Sequence, residues 1–144
     1  MVECTNKDNE KSICEKGKIL VMDEEETIRN LSERQLTRLG YNSKICADGA
    51  AAIETYKNGM RSKDPFDVVI LDLTHKSGMG AVETIKELLK IDPTVKGIVS
   101  TGYFYDPAAV NFKTYGFCGV LLKPYTKVEL KNILSGLIDE DQYI

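Results

Sequence analysis

FDVVILDLTHKSGMG, Phe66–Gly80, is the stretch that decides the fold. Val68, Val69, Ile70 and Leu71 are apolar without alternation, so the strand they predict must bury both faces, as a strand in the middle of a parallel sheet does. Asp72 ends the run. Open α/β sheets gather their chemistry in the crevice beyond the C-terminal strand ends, which makes this carboxylate a candidate functional group. Gly78 and Gly80 then let the backbone turn sharply into a helix.

On the N-terminal side, Ile19–Met22 is a second apolar strand, stopped by Asp23, Glu24, Glu25 and Glu26. From Glu25 to about Leu39, the apolar residues Ile28, Leu31, Leu36 and Leu39 recur near helical spacing, and Gly40 supplies the stop. Asn42–Cys46 alternates as an edge strand would. Asp48 can cap a second helix running to about Asn58, with Ala51, Ala52, Ile53 and Tyr56 inward and Gly59 as terminator.

On the C-terminal side, a third helix over about Ala81–Ile91 carries Val82, Ile85, Leu88 and Leu89 on one stripe. Lys96–Ser100 is the fourth strand. Asp106-Pro107 opens a fourth helix that should end at Gly116. Gly119–Leu122 is the fifth strand, and Thr126–Glu129 is a capping box before Leu130, Ile133, Leu134, Leu137 and Ile138. Five βα units with short connections imply right-handed crossovers and a doubly wound parallel sheet. The order 2-1-3-4-5, flavodoxin-like, suits five strands and brings Asp23 and Asp72 together at the switch point between strands one and three. One domain over residues 18–140 is expected, behind a polar, flexible linker at 1–17.

Composition narrows the function. In 144 residues, 19 basic side chains against 22 acidic ones give a net charge of −3, which argues against a nucleic-acid surface. No apolar run approaches the ~18 residues that would span a bilayer, and the N-terminus is too polar for a secretory signal, so a cytoplasmic location is expected. The four cysteines have no metal spacing, and Cys46 and Cys118 read as small buried hydrophobes in or beside strands. His75, the single histidine, has no second histidine with which to share a transition metal.

Asp23, Glu24 and Asp72 at neighbouring strand ends would repel one another by ~4 kcal/mol per pair at ~4 Å in a surface-like dielectric. A cation must sit among them, and hard carboxylate oxygens suit Mg²⁺. Lys123, after the fifth strand, can supply a fixed positive charge, and Thr101, at the end of the fourth, a hydroxyl. Acids, hydroxyl and lysine at one mouth suit phosphoryl transfer to a carboxylate, with Asp72 as the attacking group.

The segments ILVMDEEE, VVILDLT…GMG, VSTG and LLKP, in this order and spacing, resemble the response-regulator receiver domain, the CheY-like family, over about Lys18–Ile138. In motif they look most like the receivers of hybrid sensor histidine kinases. The resemblance implies a two-component signalling domain, not a turnover enzyme, that takes a phosphoryl group from a phosphohistidine onto Asp72. The donor would be a sensor histidine kinase or a histidine phosphotransfer protein. The resemblance further implies Thr101 as the switch hydroxyl, Lys123 as the lysine that contacts the phosphoryl group, a cis Lys123-Pro124 peptide, and Mg²⁺ on Asp23, Glu24, Asp72 and the backbone carbonyl of Thr74. Autodephosphorylation and a monomeric or weakly dimeric state are expected with it.

Three positions depart from the family pattern. Glu24 stands where a second Asp is commoner, Val120 where a switch Tyr or Phe is usual, and His75-Lys76 where Met-Pro is typical. Val120 is too short to swing, so output is expected through the start of the fourth helix at Asp106-Pro107 and through Tyr103-Phe104-Tyr105, a cluster suited either to packing on the fifth helix or to a partner. Few residues follow the fifth helix, so a stand-alone receiver or a hybrid-kinase fragment is expected rather than one with a C-terminal effector. A flavodoxin-type cofactor binder would need a phosphate cradle where this chain has four acids. A dinucleotide enzyme would need GxGxxG, and an aspartyl phosphatase DxD. The competing reading is a degenerate receiver that acts only as a docking module.

Overall fold

The computed structural model describes residues 16–73 and 79–142, with side chains as far as residue 138. Five parallel strands form one sheet in the order β2-β1-β3-β4-β5. They are β1 (Lys18–Met22), β2 (Asn42–Cys46), β3 (Val68–Asp72), β4 (Gly97–Thr101) and β5 (Gly119–Leu122). Helices α1 (Glu26–Leu39), α2 (Gly49–Arg61), α3 (Ala81–Ile91), α4 (Pro107–Val110) and α5 (Lys127–Gln142) connect or follow them. This is the doubly wound, flavodoxin-like order expected. The linker expected at 1–17 falls largely outside the described residues. Lys16 and Gly17 already belong to the body, through Lys16 N–H to Gly40 O and Asn42 N–H to Gly17 O.

The unbroken apolar strands divide their side chains by parity, because successive residues point to opposite faces. Leu20, Met22, Val69, Leu71 and Val99 face one way, onto Ala52 and Tyr56 of α2 and Ile85 and Leu88 of α3. Ile19, Val21, Val68, Ile70, Ile98 and Leu121 face the other, onto Leu36 of α1 and Leu130, Leu134 and Ile138 of α5. β1 and β3 are buried at every position. The register sets Met22 against Leu71 and Asp72 against Ser100, so Asp23 and Asp72 follow side by side at the C-terminal edge.

Several sequence expectations need correction. α2 runs through Gly59 to Arg61 rather than stopping there. Gly59 serves close approach, since a Cβ on it would lie 3.0 Å from Asp64 O and 3.1 Å from the Phe66 ring. The expected helix from Pro107 to Gly116 lasts only to Val110; Asn111–Gly116 is a string of turns with bonds such as Thr114 N–H to Asn111 O. Asn, Thr and Tyr there are weak helix formers, and Gly116 closes the turns at φ 101°. β4 ends at Thr101 rather than Ser100, and α5 continues past Ile138 to Gln142. On α1 the inward position expected for Leu31 belongs to its neighbour: Leu31 is 43% exposed while Ser32 is buried. Cys118 is exposed, not buried, and Cys46 is half-buried.

Candidate functional site

Asp23 and Asp72 are both 2% exposed, an unusual burial for carboxylates. Between them lies the ammonium of Lys123, with Nζ 2.8 Å from Asp23 Oδ2 and 2.9 Å from Asp72 Oδ1. The lysine arrives there because β5 stops at Leu122, and the Lys123 amide still donates to Thr101 O at 2.8 Å. The Lys123-Pro124 peptide is cis, as the motif implies. Asp23 Oδ1 accepts from the Glu25 amide at 2.9 Å, which fixes the carboxylate from the start of α1.

The electrostatics follow from this geometry. Burial pushes the Asp23 carboxyl above its ordinary value, the Lys123 and Glu25 hydrogen bonds pull it back, and the neighbouring Asp72 charge adds to the rise. Burial works to lower the Lys123 ammonium, but the hydrogen bonds and charges of the two carboxylates outweigh it and hold the lysine above its ordinary range. Among the described residues, Lys123 is the cation that the two buried carboxylates share.

Thr101, fully buried, closes β4 beside these groups, and its Oγ1 accepts from the Tyr103 amide at 3.1 Å. Glu24 is exposed, unlike Asp23. Thr74, whose carbonyl was the fourth expected metal donor, lies outside the described residues, as do His75 and Lys76. Among the described residues no three His, Cys, Asp or Glu side chains gather as a metal site. The chemistry of what does converge, two buried hard carboxylates sharing one ammonium, fits a further hard cation. Tyr103, Phe104 and Tyr105 are 52%, 65% and 70% exposed; Tyr105 meets Tyr103 in a tilted pair and Phe104 edge to face, each with centroids 5.7 Å apart.

Sequence reasoning missed two contributors. Arg29, one turn into α1, donates through Nη1 to the carbonyls of Asp23 (2.7 Å) and Glu24 (3.0 Å) and so fixes the acidic turn. Its position six residues after Asp23, on the helix that follows the acids, was the available signal. Ser32 and Tyr125 meet hydroxyl to hydroxyl at 2.7 Å across 93 residues of sequence, which no local pattern announces.

The sequence profile of the response regulator receiver domain matches residues 19–135. A putative NtrX-like response regulator of Rickettsia typhi is 31% identical over 121 residues, covering 81% of this chain; the chain spans only 24% of that relative's length. The crystal structure of a CheY-like receiver domain protein from Methanospirillum hungatei superposes with a TM-score of 0.77 at 22% identity, over 88% of this chain and 97% of that one. The response regulator TrrA of Thermotoga maritima, solved in complex with Mg(2+)-BeF, gives 0.72 at 26% identity, over 84% of this chain and 98% of that one. With the profile matched across nearly the whole sheet and a buried acid pair at its C-terminal edge, the chain belongs to the response regulator receiver domain family.

Proposed function

We propose that this domain accepts a phosphoryl group on Asp72 from the phosphohistidine of a sensor histidine kinase or histidine phosphotransfer protein. The observation that carries the reading is the Asp72 carboxylate, buried at the tip of the central strand with the Lys123 ammonium 2.9 Å away. An Asp72 oxygen attacks phosphorus, an O–P bond forms, the P–N bond breaks, and its electron pair stays on the imidazole nitrogen. Lys123 follows the developing charge from the carboxylate to the phosphoryl oxygens, and Thr101 offers its hydroxyl to one of them. Asp23, Glu24, Asp72 and the Thr74 carbonyl would hold Mg²⁺, which when bound neutralises phosphoryl oxygens. The Mg(2+)-BeF complex of TrrA supports that cation.

The test is intact-mass measurement after incubation with phosphoramidate. The parent chain should gain one phosphoryl group with Mg²⁺ and none in chelator, and Asp72→Asn should gain none in either. A parent that stays unmodified with Mg²⁺ would favour the docking-only alternative.

A further inference from the structure

Lys123 must stay between two carboxylates while the loop that carries it turns away from the sheet into α5. Two residues beyond it, the Tyr125 hydroxyl meets the Ser32 Oγ at 2.7 Å. Ser32 is 1% exposed and sits on α1, three residues after Arg29, whose guanidinium grips the Asp23 and Glu24 carbonyls. Residues three apart share a helix face. One face of α1 therefore reaches the acidic turn through Arg29 and the lysine loop through Ser32. From this arrangement we infer that the Ser32–Tyr125 hydrogen bond is a positioning contact that holds Lys123 on Asp72 for phosphoryl acceptance.

The packing around the bond supports this role. A cavity of about 290 Å³ opens between α1 and the loop, walled by Ile28, Leu31, Lys123 and Pro124 as well as by Ser32 and Tyr125. Where apolar side chains interdigitate, one hydrogen bond would be redundant. Here the cavity leaves part of the interface unfilled, and the bond lies in its wall, next to where Tyr125 packs against the core that includes Leu36 and Leu130. A serine in an inward helical position is otherwise a poor choice, since a buried hydroxyl costs stability unless it is partnered. Burial raises the Tyr125 hydroxyl above its ordinary range, and either hydroxyl of the pair can donate the bond. Small displacements of a charged group from the reacting atoms are expensive in rate, which gives a contact that touches no reacting atom its leverage.

The inference rests on the reading of Asp72 as phosphoacceptor, and the experiment separates the two. Phosphoramidate with Mg²⁺ is given to the parent, Tyr125→Phe, Ser32→Ala, the double variant, Lys123→Met, and Lys123→Met with Tyr125→Phe. Each hydroxyl deletion should slow uptake about tenfold, and the double variant should be no slower than either single one. In the Lys123→Met background Tyr125→Phe should have no further effect, because the contact acts through the lysine; a merely structural contact would slow that background too. In chelator, the Lys123 amide should exchange faster in both single variants than in the parent. Uptake at the parent rate in either single variant, multiplying effects, or a loss that tracks the unfolded fraction would overturn the inference. Ser32→Ala and Tyr125→Phe break the bond from opposite sides, so one folded variant suffices. No uptake by the parent would instead remove the acceptor reading beneath it.

Discussion

A lysine closes each end of this sheet, and the two ends treat it differently. At the N-terminal end, Lys18 Nζ meets Asp64 Oδ2 at 2.8 Å and Asp64 O at 2.8 Å, and lies 4.5 Å from the centre of the Phe66 ring. Its side chain is 11% exposed, but Asp64 is 68% exposed, so water shares the anion. At the C-terminal end, the Lys123 side chain is 16% exposed and the side chains of Asp23 and Asp72 only 3%. An exposed acid on a lysine makes a clamp shared with solvent; two buried acids on one lysine make a charge cluster screened from it. Under the proposed function, the same side chain is structural where its partner is hydrated and functional where its partners are buried.

The largest effect should come from removing the lysine at the functional end. Lys123→Met is expected to slow phosphoryl uptake from phosphoramidate by about 100-fold, the usual scale for deleting a charge stabiliser at a reacting centre. A loss under about threefold would erase the distinction between the two ends. The matching change at the other end sharpens it. Lys18→Met should leave uptake within about twofold while lowering unfolding free energy in urea by about 1–2 kcal/mol, from a charged hydrogen bond and a cation–π contact discounted for the exposure of Asp64. If Lys18→Met slowed uptake as much as Lys123→Met, the contrast would fail.

The smallest effect tests the buried acid pair itself. The folded Asp23 carboxyl keeps its proton to a higher pH than the unfolded one, whose ordinary value is 3.8. Between those two values the folded state binds more protons, so stability falls as pH rises through the window, and Asp23 costs stability at neutral pH. Asp23→Asn in chelator should therefore raise the melting temperature at pH 7 by about 3 °C. The gain should vanish at pH values below 3.8, where the carboxyl is protonated in both states. A lower melting temperature for Asp23→Asn at pH 7 would mean that Lys123 more than balances the pair.

Strands and site differed in how far they could be read from sequence, for physical reasons. Unbroken apolar runs such as Val68–Leu71 leave a chain few alternatives to a doubly covered parallel strand, and strand order then brings Asp23, Asp72 and Lys123 to one edge. The misreadings concern residues whose role depends on a distant partner. Ser32 is buried in place of Leu31 because Tyr125 waits for it from the far end of the chain. Gly59 looks like a helix stop, yet it answers to the Phe66 ring. Asp106-Pro107 marked the start of α4 correctly, with the Asp106 carboxylate accepting from the Ala108 amide, but a good cap does not say how long the helix lasts.

The aromatic trio beside Thr101 has an optical consequence. The chain has seven tyrosines and no tryptophan, so no indole drains or masks phenol emission. The Tyr56 hydroxyl is bound to the Asp92 carboxylate at 2.7 Å, an arrangement that quenches phenol fluorescence, whereas Tyr103 and Tyr105 stand in solvent. The backbone amide of Tyr103 is anchored on Thr101 Oγ1. Tyr103 and Tyr105 thus report from the loop joined to the buried hydroxyl, giving this domain native fluorophores at the mouth of its site without any label.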